Sequence, residues 1–142
     1  MSKNILTIIL FLIIQVVAFH SQAAIGDWKA YMAYHDVQEI EQAGNLVFVQ
    51  ASNSLYAYNK NDQSIQTFSK VDYLSDCNIS HIAYNKSTKR LVIIYSNGNI
   101  DLMNINNYEV TNLSDYYNTF TSENKTVNNI YTYGNYAYLS TG

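Results

Sequence analysis

The chain has 142 residues, 8 Lys and Arg against 11 Asp and Glu, and a formal net charge of −3. That balance supplies no basic field to hold a nucleic acid or an anionic membrane surface, so direct nucleic-acid binding is not expected. A single cysteine excludes an internal disulfide framework, and the absence of proline beside 14 tyrosines points to aromatic strands joined by polar turns.

The N-terminus carries a targeting pattern. Lys3 gives a positive start, Ile5 to Phe19 is apolar apart from Thr7 and Gln15, and Ser21-Gln22-Ala23 places small residues where a signal peptidase reads. Residues 1–23 read as a secretory signal, because the apolar run is shorter than the roughly 20 residues of a spanning helix. No cysteine follows the run, so a lipoprotein anchor is not expected. Residues 24–142 are left to fold.

Trp28 to Tyr34 alternates large and small side chains, which suits an edge or closing strand, and His35-Asp36 breaks it. Val37 to Gln42 then predicts a strand, with Ala43-Gly44 turning into Asn45 to Gln50 and Ser52-Asn53-Ser54 turning into Leu55 to Tyr58. A polar loop over Asn59 to Gln63 precedes a fourth strand, Ile65 to Phe68. After a link from Val71 to Asn78 the order repeats: Ile79 to Tyr84, a longer hairpin over Asn85 to Lys89, and Leu91 to Tyr95. That last run is apolar without alternation, as in a strand covered on both faces. Ser96-Asn97-Gly98-Asn99 is a strong turn signal, and Ile100 to Ile105 with Tyr108 to Asn112 completes the unit. Leu113 to Lys125 is polar and aperiodic and is expected to be a loop. Val127 to Tyr133, Gly134-Asn135, and Tyr136 to Thr141 begin the order a third time.

A shift of 45 residues lays Asn45-Leu46-Val47-Phe48-Val49 on Arg90-Leu91-Val92-Ile93-Ile94, and those on Asn135-Tyr136-Ala137-Tyr138-Leu139. Repeats of about 40–50 residues built from short strands are the size of one propeller blade. The expected fold is all-β: a partial β-propeller of about two and a half four-stranded antiparallel blades, with repeats at about 37–78, 79–126 and 127–142. Each blade buries its faces against its neighbours, so stability belongs to the stack. Residues 24–142 are accordingly expected to form part of a ring and not to persist alone as a soluble monomer.

Little in the chain has the spacing that catalysis needs. His20 leaves with the signal, and His35 and His81 have no second His or Cys at ligand spacing, so no metal site is expected. No nucleophile elbow, phosphate loop or calcium loop occurs, and no cofactor or catalytic residue is assigned. His81, on a strand, is expected to be structural. Asp101 lies among apolar neighbours in Ile100-Asp101-Leu102-Met103; buried, it needs partners and would fasten blades through backbone donors, with ligand contact at a central channel as the alternative. Cys77 is expected to be a small buried residue at a strand start. Tyr56, Tyr58, Tyr84, Tyr95, Tyr116 and Tyr117 could stack on sugars but are expected mostly to pack between blades. Asn-x-Ser/Thr sequons at Asn78, Asn85, Asn112 and Asn124 would matter in a eukaryotic secreted protein and are chance in a bacterial one.

Leu74-Ser75-Asp76-Cys77-Asn78-Ile79-Ser80-His81-Ile82-Ala83-Tyr84-Asn85 and Leu91 to Leu102 resemble the two-component regulator propeller repeat. With Trp28 to Tyr34 ahead and Lys125 to Gly142 behind, the chain is similar to the N-terminal propeller of the PorZ family, over Asp27 to Gly142. The most specific stretch is Tyr95-Ser96-Asn97-Gly98-Asn99-Ile100-Asp101-Leu102. The resemblance implies a non-enzymatic surface or periplasmic component of the type IX secretion attachment complex in Bacteroidetes, beside the sortase and associated with anionic lipopolysaccharide. A periplasmic oligosaccharide-sensing propeller of a hybrid two-component regulator is the alternative. A glycan-cleaving propeller would need paired carboxylates, and Asp101 has no evident partner in the sequence.

Overall fold

The computed structural model describes residues 34–119 and 125–142. The signal expected at residues 1–23 and nearly all of the strand expected at Trp28 to Tyr34 lie outside them. Ten strands and one helical turn follow in order: β1 (Val37–Ala43), β2 (Leu46–Ala51), β3 (Ser54–Asn59), β4 (Ile65–Phe68), β5 (Ile79–Asn85), β6 (Arg90–Tyr95), β7 (Ile100–Asn104), β8 (Val110–Asn112), α1 (Asp115–Asn118), β9 (Val127–Tyr133) and β10 (Tyr136–Thr141). β1 to β4 make one antiparallel meander, β5 to β8 a second, and β9 and β10 the opening hairpin of a third. The two complete blades and half blade are those the repeat predicts.

Two predicted elements change. Tyr108 has φ +59 and its N–H donates to Asn104 O, so it closes a turn and β8 starts only at Val110. The segment expected to be loop from Leu113 to Lys125 contains α1, one turn following Ser114 with Asp115 favourably placed in its first turn. The Lys125 ammonium donates to Tyr117 O and Thr119 O, satisfying carbonyls at the end of that turn.

The core is made between blades. Leu91, Ile93 and Tyr95 on β6 join Phe48, Leu55 and Phe68 of the first blade, whereas Val92 and Ile94 face Val127, Ile130 and Leu139 of the third. β6 is thus apolar without alternation because each face meets a different blade. A fully buried Ile or Leu is worth about 1.5–3 kcal/mol, and Leu91, Ile93 and Ile94 are all 0% exposed. Phe68 adds an aromatic weld between blades, its ring 5.0 Å from Tyr108 and 5.4 Å from Tyr73, both edge-on. The first strands β1, β5 and β9 lie side by side across the seams. Each carries a bulge at the same place, with Gln38, Ser80 and Asn128 the extra residues. A bulge re-aims the side chains beside it; here the next residue is Glu39, His81 or Asn129.

Candidate functional site

A first strand bonds to its second strand along one edge and leaves the other edge open, which normally invites pairing with another chain. In this protein side chains from adjacent blades close that edge. Glu39 Oε2 accepts the Ile82 N–H at 2.7 Å, and the Glu41 carboxylate accepts the Tyr84 N–H. From the other side, Thr132 Oγ1 donates to Tyr84 O at 3.0 Å, and Asn85 Nδ2 donates to Tyr136 O at 3.2 Å. Burial lifts the Glu41 carboxyl above the usual carboxylate range; the Tyr84 N–H opposes that rise and the charge of Glu39 adds to it. His81 stands between the two seams. Its Nδ1 lies 2.5 Å from Glu39 Oε1 and its Nε2 donates to Val127 O at 3.1 Å. The expected structural role of His81 is what its contacts describe.

Asp101 is fully buried, and its partners were not visible in the sequence. Oδ2 accepts from Tyr95 Oη at 2.6 Å and from Ser75 N–H at 2.8 Å, while Oδ1 accepts from Asn112 Nδ2 at 2.8 Å. Ser75 belongs to the link between blades, so Asp101 fastens that link to β7 through a backbone donor, as expected. Burial pushes the Tyr95 phenol far above the usual tyrosine range, and the hydrogen bond and charge of Asp101 push the same way. The stretch from Tyr95 to Leu102, the most specific part of the resemblance, is the stretch that folds into this network.

The other candidates separate. His35 Nδ1 meets Ser52 Oγ at 3.0 Å, and its side chain is 76% exposed beside an equally open Asp36. Among the described residues no group of three or more His, Cys, Asp and Glu is placed to hold a metal. Cys77 is exposed, contrary to the buried position expected. The reason is local: its N–H donates to Asp76 Oδ1 and the next residue, Asn78, has φ +58, so the chain turns before β5 begins instead of entering it at Cys77. Of the tyrosines, Tyr95 is fully buried, Tyr84 and Tyr116 pack against the inter-blade clusters, Tyr56 packs edge-on against Tyr34 at 5.3 Å, Tyr58 is partly buried, and Tyr117 is exposed. Among the sequons, Asn85 is buried and caps the hairpin through Ser87 and Thr88, Asn112 serves Asp101, Asn78 sits in the turn before β5, and Asn124 lies outside the described residues.

Two surfaces went unpredicted. Tyr131, Tyr133, Tyr136 and Tyr138 form two cross-strand pairs on one exposed face of the third hairpin. On its other face a cleft of about 420 Å³ is lined by Val92, Ile100, Leu102, Leu113, Ala137 and Leu139, with Arg90 its one charged residue. A period-2 pattern in β9 and β10 carries both faces, but the sequence does not say which face is covered.

Stacked antiparallel blades with their first strands innermost, and polar groups spent on the seams between them, define a β-propeller segment. Over residues 47–142 the chain matches the family described as TSS9, PorZ, N-terminal beta-propeller domain, and the chain belongs to that family. It is similar to PorZ, described as an essential bacterial surface component of the type-IX secretion system of Porphyromonas gingivalis: 33% identity, TM-score 0.76, 81% of this chain covered. The match spans 15% of the length of that protein. The extracellular domain of a putative one component system from B. thetaiotaomicron shares the fold at 19% identity and TM-score 0.57, over 74% of this chain and 14% of that one. No curated protein sequence matches.

Proposed function

We propose that this propeller segment is a non-enzymatic assembly and recognition element of a type IX secretion apparatus, exported and held at the periplasmic or outer face of the outer membrane. The observation that carries the reading is the family match over residues 47–142. The disposition of the polar residues supports it: of the groups best suited to acid–base work, Glu39 and His81 are consumed by contacts that join blades, and Asp101 by contacts within its own blade and to the link before it. Proposed partners are other secretion components, the sortase among them, and anionic lipopolysaccharide. With a net charge of −3, contact with the latter would rest on sugar and aromatic surface rather than on ion pairing. The sensor-propeller alternative rests on fold alone, since its closest support is the 19% likeness to a one-component extracellular domain.

The test is deletion of the gene in its host, followed by assay of secreted cargo. Accumulation of unprocessed cargo in the periplasm, restored by the full-length gene, supports the proposal. Normal cargo release together with loss of a transcriptional response to an oligosaccharide would overturn it in favour of the sensor.

A further inference from the structure

Side chains of the second blade hold the link that precedes it. Asp101 accepts the Ser75 N–H at 2.8 Å, Ser96 Oγ donates to Asn78 O at 2.7 Å, and Asn97 Nδ2 donates to Asp76 Oδ2 at 2.7 Å. The other oxygen of Asp76 takes the Cys77 N–H at 2.9 Å and the Lys70 ammonium at 3.5 Å. Both of those donors lie in the link itself, so Asn97 is what ties this carboxylate to the blade. Of the asparagines in the chain, Asn97 is also the one followed by glycine, and it lies exposed in the turn between β6 and β7. Glycine has no side chain to keep its backbone nitrogen away from the preceding amide.

We propose that Asn97 is a site of spontaneous deamidation, and that the conversion cuts the Asp76 carboxylate loose from the second blade. The Gly98 nitrogen attacks Asn97 Cγ, and the new C–N bond closes a cyclic imide. The Cγ–Nδ2 bond breaks, and ammonia leaves with the Gly98 proton. Water then opens the imide at either carbonyl, giving aspartate at 97 or an isoaspartyl link that runs through the side chain. In the closed turn the Gly98 N–H donates to Tyr95 O at 2.9 Å, and Asn97 Oδ1 accepts the Asn99 N–H at 3.0 Å. Attack therefore proceeds through local opening of the turn.

Either product removes the donor. Aspartate sets a carboxylate against Asp76 Oδ2 where an amide now donates at 2.7 Å, and like charges that close repel. The isoaspartyl form also lengthens the main chain by one carbon beside Gly98, where space is short: a Cβ on Gly98 would meet Lys125 Cβ at 3.0 Å and Tyr116 Cε1 at 3.3 Å. Asp101 and Ser96 keep their holds on Ser75 and Asn78. The link thus stays attached and loosens at Asp76 and Cys77.

The experiment ages the full-length chain in mildly alkaline buffer, with and without urea, and follows each asparagine by peptide mass spectrometry. Asn97 should convert ahead of Asn53, which serine follows, and faster in urea, where the turn is open. Conversion at Asn53 first, no conversion at Asn97, or conversion at Asn97 in urea alone would overturn the site. The consequence is read separately by thermal unfolding. Asn97→Asp should lower the midpoint, and adding Asp76→Asn should restore at least half of the loss, because amide and carboxylate then trade places across one contact. An unchanged midpoint in Asn97→Asp, or no recovery in the double variant, would refute the role of Asp76. If Asn97→Asp does not fold, amide exchange in the aged wild-type chain decides. The Cys77 N–H, held by Asp76 Oδ1, should exchange faster in converted than in unconverted chains, and equal rates would refute the loosening.

Discussion

Replacing Asp101 by alanine should cost the protein more than any other single polar substitution described. The carboxylate is 0% exposed and accepts three bonds, from the Tyr95 hydroxyl at 2.6 Å, the Ser75 N–H at 2.8 Å and the Asn112 amide at 2.8 Å. Truncation leaves the Tyr95 hydroxyl, itself on a fully buried side chain, without its acceptor. An orphaned buried donor costs about 1–3 kcal/mol, and a bond to a charged group is worth about 1.5–3. Against that, alanine removes the desolvation cost of the buried charge, which brings the expected net loss below that sum, to about 2–4 kcal/mol. Asp101→Asn should cost less, about 1–2 kcal/mol, because an amide oxygen in the Oδ2 position keeps Tyr95 and Ser75 and loses only Asn112. Asn112 cannot rotate its amide to help, since the same nitrogen donates to Asn99 Oδ1 and Ile100 O. Urea unfolding of the full-length chain, followed by circular dichroism, measures the three proteins, and Tyr95→Phe completes a cycle in which the coupling with Asp101→Ala should be at least about 1 kcal/mol. A loss below about 0.5 kcal/mol for Asp101→Ala, the range of ordinary surface changes, would refute the network as a structural fastening.

Tyr95 should be silent in a spectrophotometric alkaline titration until the protein unfolds. Its phenol lies above the value of about 10 of a free tyrosine, so above that pH the unfolded chain releases a proton the folded one keeps and stability falls; ionisation with the exposed tyrosines would contradict this. Glu41→Gln should raise the thermal midpoint at neutral pH and leave it unchanged in acid, because burial already favours the neutral carboxyl; a lower midpoint at neutral pH would show that the Tyr84 contact needs the charge. Gly98→Ala should be more harmful than Gly134→Ala, both having positive φ. A methyl at Gly98 meets Lys125 Cβ at 3.0 Å and Tyr116 Cε1 at 3.3 Å while nothing lies within 4 Å at Gly134, so losses of about 2–3 and about 1 kcal/mol respectively are expected by chemical denaturation. Residues 24–142 expressed alone should associate on size exclusion, given the exposed Tyr131, Tyr133, Tyr136 and Tyr138 together with Ile40 and Ile65 on the first blade; a sharp-melting monomer would contradict that.

The strands were legible because their determinants are local. Ile65–Phe68 is observed as read, and the period-2 runs and Asn/Gly turns placed the others within two residues. What escaped was everything that depends on which blade lies next door. Glu39 and Glu41 look in the sequence like the solvated side of an edge strand, because alternation with Ile40 says nothing of a free backbone edge waiting 43 residues on. Phe68, Tyr73 and Tyr108 meet only when the outer strand of one blade reaches the β7–β8 turn of the next. Asp101 was singled out, since a carboxylate between isoleucine and leucine is conspicuous, but its partner Ser75 contributes a backbone N–H, which no sequence pattern records. Cys77 was misplaced because residue type alone favours burial, whereas the positive φ at Asn78 sets the turn.

Edges closed by borrowed side chains change what counts as a unit. The inner strand of the second blade has its amides answered by Glu39 and Glu41 from one neighbour and a carbonyl answered by Thr132 from the other. Its ladder is complete only after both neighbours have docked, so the blade is a repeat in sequence without being a module in assembly. Exchanging the first blade for a copy of the second would keep every strand and still leave the Ile82 and Tyr84 amides bare, because His81 and Ala83 would stand where Glu39 and Glu41 do. A circular permutation opened in the β2–β3 turn would leave these cross-blade bonds intact, whereas grafting at the blade boundaries would cut them.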